Sequence, residues 1–66
     1  MSTGTVKMWD EDRGFGFIVP DNGPDIFVHA KSIVGASVLI PGSRVDYEAV
    51  FDNARGKFRA QDVRVI

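Results

Sequence analysis

The sequence predicts an all-β fold, in which one small domain of five short strands curls into an antiparallel barrel. Helix-length periodicity is absent, and short runs of alternating or β-branched residues are separated by Gly, Pro, Asn and Asp. A chain of 66 residues has room for one hydrophobic core and no second domain. Five strands in so short a chain would expose a long edge unless the sheet closed on itself.

Each predicted strand is one of these alternating or β-branched runs. In order, the strands are expected at residues 3–10, 15–19, 25–29, 44–51 and 57–65. The turn formers at residues 20–24 separate the second and third strands, and residues 52–56 form a hairpin between the fourth and fifth. The long connection at residues 30–42 has room for a single helical turn near residues 31–33 and ends in Pro41 and Gly42.

Composition limits the classes of function. Eight Lys and Arg against nine Asp and Glu give a formal net charge of -1, so a polyanionic partner must meet a local basic patch. The chain has no cysteine, which excludes thiolate catalysis and sulfur-ligated zinc and favours a reducing, cytoplasmic location. We expect no membrane association, because the sequence contains neither a long apolar segment nor the features of a signal peptide.

Strand alternation separates aromatic from β-branched residues in the second and third strands. The aromatic side consists of Phe15, Phe17, Phe27 and His29. The branched side consists of Ile18, Ile26 and Val28. A closed barrel has one interior, and β-branched residues suit it best. We therefore expect the three phenylalanine rings to face water.

The residues that can border this aromatic side are polar and largely basic. They are Lys7, Arg13, His29, Lys57 and Arg59. Exposed rings interleaved with cations suit single-stranded nucleic acid, because every base offers a π face and every linkage a phosphate. Gly14 and Gly16 carry no side chains that would block a flat ligand. The pattern predicts binding of single-stranded RNA or DNA.

Two other interpretations of the phenylalanines stay open. They are ordinary core residues if something else covers the branched side. They form a protein or dimer interface if another chain docks on them, which makes a protein-interaction barrel the alternative function. We expect no enzyme, no metal site and no small-molecule cofactor, because His29 is the one histidine and no serine has a predicted base beside it.

The motifs also resemble those of the bacterial cold-shock proteins over nearly the whole chain. The resemblance is carried by Gly4–Lys7, Arg13–Ile18, Asp25–His29, Leu39–Gly42 and Arg55–Lys57. The second and third segments match the two ribonucleoprotein motifs of the family. The resemblance implies an oligonucleotide-binding (OB-fold) barrel that binds single-stranded RNA or DNA, with a preference for pyrimidines. It also implies an RNA chaperone or a regulator of transcription or translation, which we expect to be a cytoplasmic monomer.

Individual roles follow from the resemblance by position. The family's ligand face corresponds to Lys7, Phe15, Phe17, Phe27 and His29. Further contacts are commonly made at the positions of Arg13, Asp25, Lys57 and Arg59. Asp25 would accept a hydrogen bond from a base edge. Trp9 is expected either partly exposed beside the ligand face or mostly buried at the barrel edge.

Three departures from the family pattern each remove stacking surface. The usual Lys-Trp-Phe is here Lys7-Met8-Trp9, and Ala30 stands where the family usually has Phe. The loop at residues 35–38 is shorter than usual and lacks the aromatic residue that often closes over a base. Fewer stacking rings predict weaker binding or a shorter site.

Overall fold

The computed structural model describes residues 2–66, which form five strands and one short helical turn. In chain order they are β1 (Ser2–Asp10), β2 (Phe15–Pro20), β3 (Ile26–His29), a 3-10 turn (Ala30–Ser32), β4 (Arg44–Asp52) and β5 (Lys57–Val65). All five predicted strands are present, and their ends differ from the predicted ones by at most one residue. The sheet closes into a barrel in the order β1-β2-β3-β5-β4.

The prediction of a purely antiparallel barrel is wrong, because the strand pairing is mixed. β3 and β5 run parallel, with Phe27 beside Arg59 and Val28 beside Ala60. The four other neighbouring pairs are antiparallel. A ring with an odd number of strands cannot alternate direction all the way round, so closing five strands forces at least one parallel pair. The long connection before β4 lets the chain reach this arrangement.

The barrel interior is filled mainly by branched aliphatic side chains. The buried residues are Val6, Ile18, Ile26, Val28, Ile33, Leu39, Val45, Tyr47, Ala60 and Val63. Full burial of one such aliphatic side chain stabilises a fold by about 1.5–3 kcal/mol, so this cluster is the main source of stability. The expected inner residues of β2 and β3 all belong to it, which confirms that part of the prediction.

The long connection is tied to the barrel at both its start and its middle. Ile33 forms a β-bridge with Val63, and the Val34 backbone N–H donates to the Val63 carbonyl oxygen at 2.8 Å. Leu39 is buried in the core further along. These contacts hold the connection in place although it contains no strand or α-helix of its own.

A β-bulge in β1 reverses the faces of the residues that follow it. Val6 pairs with Ile18, but the next pair joins Met8 to Phe17, so Lys7 is the extra residue of the bulge. Simple alternation from Lys7 would place the Met8 side chain inside the barrel and the Trp9 side chain outside it. The bulge does the opposite, because a shift of one residue moves every later side chain to the other face.

Both hairpins, β1–β2 and β4–β5, turn on the same device. The carboxylate oxygens Oδ1 of Asp10 and Asp52 each accept hydrogen bonds from the backbone N–H groups two and three residues later. Gly14 and Gly56 end the two turns with φ angles of 71° and 69°, a left-handed conformation that favours glycine.

Candidate functional site

Three phenylalanine rings form one cluster on the outer side of β2 and β3. This aromatic cluster consists of Phe15, Phe17 and Phe27. Phe17 and Phe27 are direct cross-strand partners. The ring centroids are 5.6 Å apart for Phe15 and Phe27, 6.0 Å for Phe17 and Phe27, and 6.5 Å for Phe15 and Phe17. The two pairs that include Phe17 meet edge to face, a favourable arrangement of aromatic rings.

The predicted inner and outer sides of β2 and β3 are confirmed, although the rings are half-buried rather than fully exposed. Ile18 and Val28 are completely buried on the inner side. All three rings of the aromatic cluster keep part of their surface in contact with water. Each ring packs against the other two, and this mutual contact reduces its exposure. The interpretation of these rings as core residues is therefore wrong.

His29 and Arg59 border the aromatic cluster. His29 is exposed and lies opposite Phe15 in the β2–β3 pairing. Its Nδ1 accepts a hydrogen bond from the backbone N–H of Lys31 at 3.1 Å, which leaves Nε2 free to face a ligand. Arg59 lies beside Phe27 across the parallel strand pair. The structure thus brings both predicted site residues next to the rings.

Three more predicted site residues lie in exposed ion pairs. Lys7 Nζ donates to Asp25 Oδ2 at 2.8 Å, so two of these residues pair with each other. Arg13 Nε lies 3.8 Å from Asp10 Oδ2. Exposed pairs of this kind contribute about 0–1 kcal/mol, so a ligand can replace either one at little loss.

Arg55 is a contact of the aromatic cluster that the sequence reading did not include in the site. Its guanidinium carbon Cζ lies 5.7 Å from the centroid of the Phe27 ring, a cation–π contact. A signal was present, because Arg55 precedes Gly56 in an Asp-x-x-Arg-Gly hairpin just as Arg13 precedes Gly14. Arg13 and Arg55 therefore occupy equivalent positions in the two hairpins.

Trp9 does not join the aromatic cluster. The β1 bulge pairs it with Gly16, on the inner side of the sheet. The indole is half-buried and packs against the core, and its buried Nε1 has no hydrogen-bond partner among residues 2–66. Of the two expected placements, the edge of the barrel fits better than the ligand face. Gly16 is buried, so the expectation that it leaves room for a ligand is wrong.

Met8 occupies the outer position that Trp9 leaves. It pairs with Phe17 and is 38% exposed. Its flexible thioether side chain extends the apolar surface of the aromatic cluster toward β1.

A groove of about 770 Å³ runs from the aromatic cluster to the β4–β5 hairpin. Phe17 and Phe27 line one part of it, and Phe51 and Phe58 line another. Phe51 and Phe58 are exposed cross-strand partners with ring centroids 5.2 Å apart. This pair was not among the predicted site residues, although two phenylalanines that flank a predicted hairpin are expected to meet across it.

The closed barrel and its aromatic cluster set the context for comparison with known proteins. The family model described as 'Cold-shock' DNA-binding domain matches residues 2–66. This chain belongs to the cold-shock domain family. The barrel of this cold-shock domain is the OB-fold expected for the family. Membership supports nucleic-acid binding in general, rather than catalysis.

Cold shock proteins of several bacteria are similar to this cold-shock domain over most of its length. The "Cold shock protein CspA" of Rhizobium meliloti is 43% identical over 67 residues, which cover 97% of each chain. The "Cold shock protein CapB" of Pseudomonas fragi is 43% identical over 68 residues, 97% of this chain and 93% of the relative. The "Major cold shock protein CspA" of Pseudomonas aeruginosa is 40% identical over 65 residues, 96% of this chain and 91% of the relative.

A separate charged group ties the end of β2 in this cold-shock domain to β1 and β4. Arg44 donates to both carboxylate oxygens of Asp21, at 2.7 and 3.0 Å, and the Thr3 hydroxyl donates to Asp21 Oδ2. The hydrogen bonds from Arg44 and Thr3 hold the pKa of Asp21 far below its usual range. The hydrogen bond with Asp21 in turn raises the pKa of Arg44. This group links strands and does not contact the aromatic cluster.

Within residues 2–66 of the cold-shock domain, no three His, Asp or Glu side chains are grouped as metal ligands. No helix in that part of the chain is long and apolar enough to cross a membrane. The outer face offers aromatic rings, cations and the Asp25 carboxylate, which are groups that can stack on, pair with or hydrogen-bond to a ligand.

Proposed function

We propose that this cold-shock domain binds single-stranded RNA or DNA by stacking bases on the aromatic cluster. It acts in the cytoplasm as an RNA chaperone or as a regulator of transcription or translation. The observation that supports this most is the cluster itself, three rings within 6.5 Å of one another on strands whose inner side is buried in the core. Exposed aromatic surface of this kind marks a binding site, and a nucleobase is flat enough to cover it.

The energy of stacking is sufficient for useful affinity. One stacked base contributes about 1–3 kcal/mol, so three rings contribute about 3–9 kcal/mol. A micromolar Kd corresponds to about 8 kcal/mol. Phosphate contacts add to this sum, so binding does not require a base-specific pocket for every nucleotide.

Phosphates of the bound strand would meet the cations that border the cluster rather than a uniformly basic protein. The formal net charge is -1, so long-range attraction of a polyanion is weak. Arg13, Lys57 and Arg59 provide local positive charge. Each phosphate contact changes the logarithmic salt dependence by about -0.7 for a single strand, so three contacts give a shallow but measurable slope of about -2.

Base edges would be read by the polar groups beside the rings. Asp25 accepts hydrogen bonds and Lys7 donates them, and their ion pair places a donor and an acceptor side by side at the surface. His29 adds the free Nε2 next to Phe15. A preference for pyrimidines and a monomeric state belong to the same proposal, on the ground of similarity to the family.

Amide chemical-shift mapping tests the proposal. Isotope-labelled protein is titrated with short oligo-dT, oligo-U and oligo-dA, and saturable shifts are expected at the aromatic cluster and His29, with oligo-dA binding more weakly. Phe17→Ala should weaken every titration, whereas Ile40→Ala, an exposed residue of the long connection, should bind like the wild type. No shifts at near-millimolar ligand would exclude nucleic-acid binding. In a pull-down, a partner protein that stays bound after RNase treatment but no longer binds the Phe17→Ala variant would support the protein-interaction barrel instead.

A further inference from the structure

A second aromatic pair is exposed at the tip of the β4–β5 hairpin. Phe51 is 48% exposed and Phe58 is 55% exposed, although phenylalanine is among the residues most often buried. Their rings meet edge to face, with planes at 77°. Neither ring belongs to the buried core, so both leave a large part of their surface in water. Such a surface marks a site where something binds.

The pair lies beyond the end of the β3–β5 strand pairing. Pairing of these two strands joins Phe27 to Arg59, and Phe58 precedes Arg59 in β5. Alternation places Phe58 on the same side of β5 as Ala60, which is buried in the core. Phe58 therefore points to the inner side of the sheet, but at the open end of the barrel where it stays exposed.

One groove joins this pair to the aromatic cluster. The groove has a volume of about 770 Å³, and Phe17, Phe27, Phe51 and Phe58 are among the residues that line it. In the barrel β4 lies two strand positions from β3, a spacing of about 10 Å. A flexible single strand that covers Phe27 can therefore continue along the groove to the hairpin.

We propose that Phe51 and Phe58 form a second stacking site, which binds a further base of the strand whose other bases stack on the aromatic cluster. The second site rests on the proposed function, because it defines where the bound strand continues beyond Phe27. One additional stacked base raises affinity about five-fold or more. Because the groove is already present in the structure, the base can reach this pair without a rearrangement of the barrel.

Cations lie along the route where phosphates of the strand would pass. The Arg55 guanidinium carbon is 5.7 Å from the Phe27 ring centroid, and Arg59 is the partner of Phe27 in β5. Lys57 pairs with Asp52 across the hairpin. Asp52 already accepts hydrogen bonds from the turn backbone and lies 3.9 Å from Arg55 Nε. Three cations thus outnumber the two carboxylates that line the groove, Asp25 and Asp52, which favours an anionic ligand.

The same charges disfavour a second copy of this chain as the occupant. In a two-fold symmetric dimer the hairpin would meet its own copy. Arg55, Lys57 and Arg59 would then face the same three cations, and like charges brought together across an interface are unfavourable. A nucleic-acid strand brings the opposite charge together with flat bases, so it fits both features of the hairpin.

A length series of oligo-dT tests the second site. Wild-type protein is titrated with oligonucleotides of about four to about ten nucleotides, the range of site sizes for small OB-folds. Phe51→Leu and Phe58→Leu keep an apolar side chain but remove the ring. Wild-type affinity should rise about five-fold or more with length. Both variants should bind the shortest oligonucleotide like the wild type and lose the rise, whereas the matched Phe27→Leu should bind every length more weakly.

The outcomes separate the second site from the proposed function. Variants that keep the full rise with length, or a wild type that shows no rise, would overturn the second site and leave the proposed function standing. A wild type that binds no oligonucleotide would remove both. Self-association in sedimentation that Phe58→Leu abolishes would assign the pair to a dimer. If a variant does not fold, the wild type alone decides. A shift of the Phe58 amide signal that is caused by long oligonucleotides and not by short ones supports the second site, and the absence of this shift refutes it.

Discussion

The indole of Trp9 occupies the space that a side chain at Gly16 would need. The two residues are partners across β1 and β2, and a Cβ at position 16 would lie 2.7 Å from Trp9 Cε3. The backbone carbonyl oxygen of Met8 would be closer still. Because one of the obstacles is backbone, the indole cannot remove the clash by rotating alone. Gly16 is thus required by the packing of the barrel rather than by a ligand.

We predict that Gly16→Ala lowers the free energy of unfolding by about 1–3 kcal/mol, the usual effect of adding a group to a closely packed site. Urea denaturation followed by circular dichroism measures it. Gly56→Ala is the control, because its Cβ would meet open space and its cost of about 1–2 kcal/mol comes from the left-handed φ alone. Near-ultraviolet circular dichroism of Trp9 should change with Gly16→Ala and stay unchanged with Gly56→Ala. An unchanged Trp9 signal in both would contradict the packing argument.

Phe17 and Ile18 offer a test of the two sides of the sheet with adjacent residues. We predict that Phe17→Ala weakens oligonucleotide binding by about 1–3 kcal/mol, the value of one stacked base, while the domain stays folded. Ile18→Ala should instead lower the free energy of unfolding by about 2–5 kcal/mol, because it leaves a cavity in the core. Fluorescence titration and urea denaturation of both variants provide the comparison. A larger loss of stability for Phe17→Ala than for Ile18→Ala would reverse the assignment of sides.

Much of the fold could be predicted because alternation is local and a barrel has one interior. The two sides of β2 and β3 follow from Ile18 and Val28 against Phe17 and Phe27, and the strand ends follow from the turn residues between them. The position of His29 opposite Phe15 was predictable in the same way. Each of these features depends on neighbours within a strand or across one turn.

The remaining features depend on relations that a strand pattern does not contain. The bulge at Lys7 is a property of the β1–β2 pairing, and it alone decides that Met8 faces outward and Trp9 inward. The parallel pairing of β3 with β5 follows from closure of an odd number of strands. Arg55 reaches Phe27 across that same parallel pair, so neither its contact nor the groove to the hairpin could be predicted before the topology was known.

Met8 provides a test of how much stacking surface this cold-shock domain lacks. Because Met8 pairs with Phe17 on the outer side, Met8→Trp should add a ring beside the aromatic cluster and raise oligo-dT affinity by about 1–3 kcal/mol at most. The measurement is a fluorescence titration at constant salt. Val65→Trp adds the same ring at an exposed position of β5 and should leave affinity unchanged. Equal effects of the two substitutions on affinity would show that the side chain at position 8 does not contact the bound oligonucleotide.

The hydrogen bonds of Asp21 predict that stability falls in acid. The ordinary pKa of this carboxyl is 3.8, and Arg44 and Thr3 lower it in the folded protein. The unfolded chain therefore takes up the proton first, so the stabilisation by Asp21 is complete above about pH 5 and is lost as the pH falls through 3.8 toward the lowered value. Its size is modest because the ion pair is exposed.

Asp21→Asn should therefore unfold at lower urea concentration than the wild type at neutral pH, and the difference should shrink as the pH falls below about 4. Urea denaturation from about pH 7 to about pH 2 measures this. Glu11→Gln, which neutralises an exposed carboxyl in the β1–β2 turn away from Arg44, is the control and should show a small difference at neutral pH. A difference between Asp21→Asn and the wild type that stays constant down to pH 2 would mean that the Asp21 charge does not stabilise the fold.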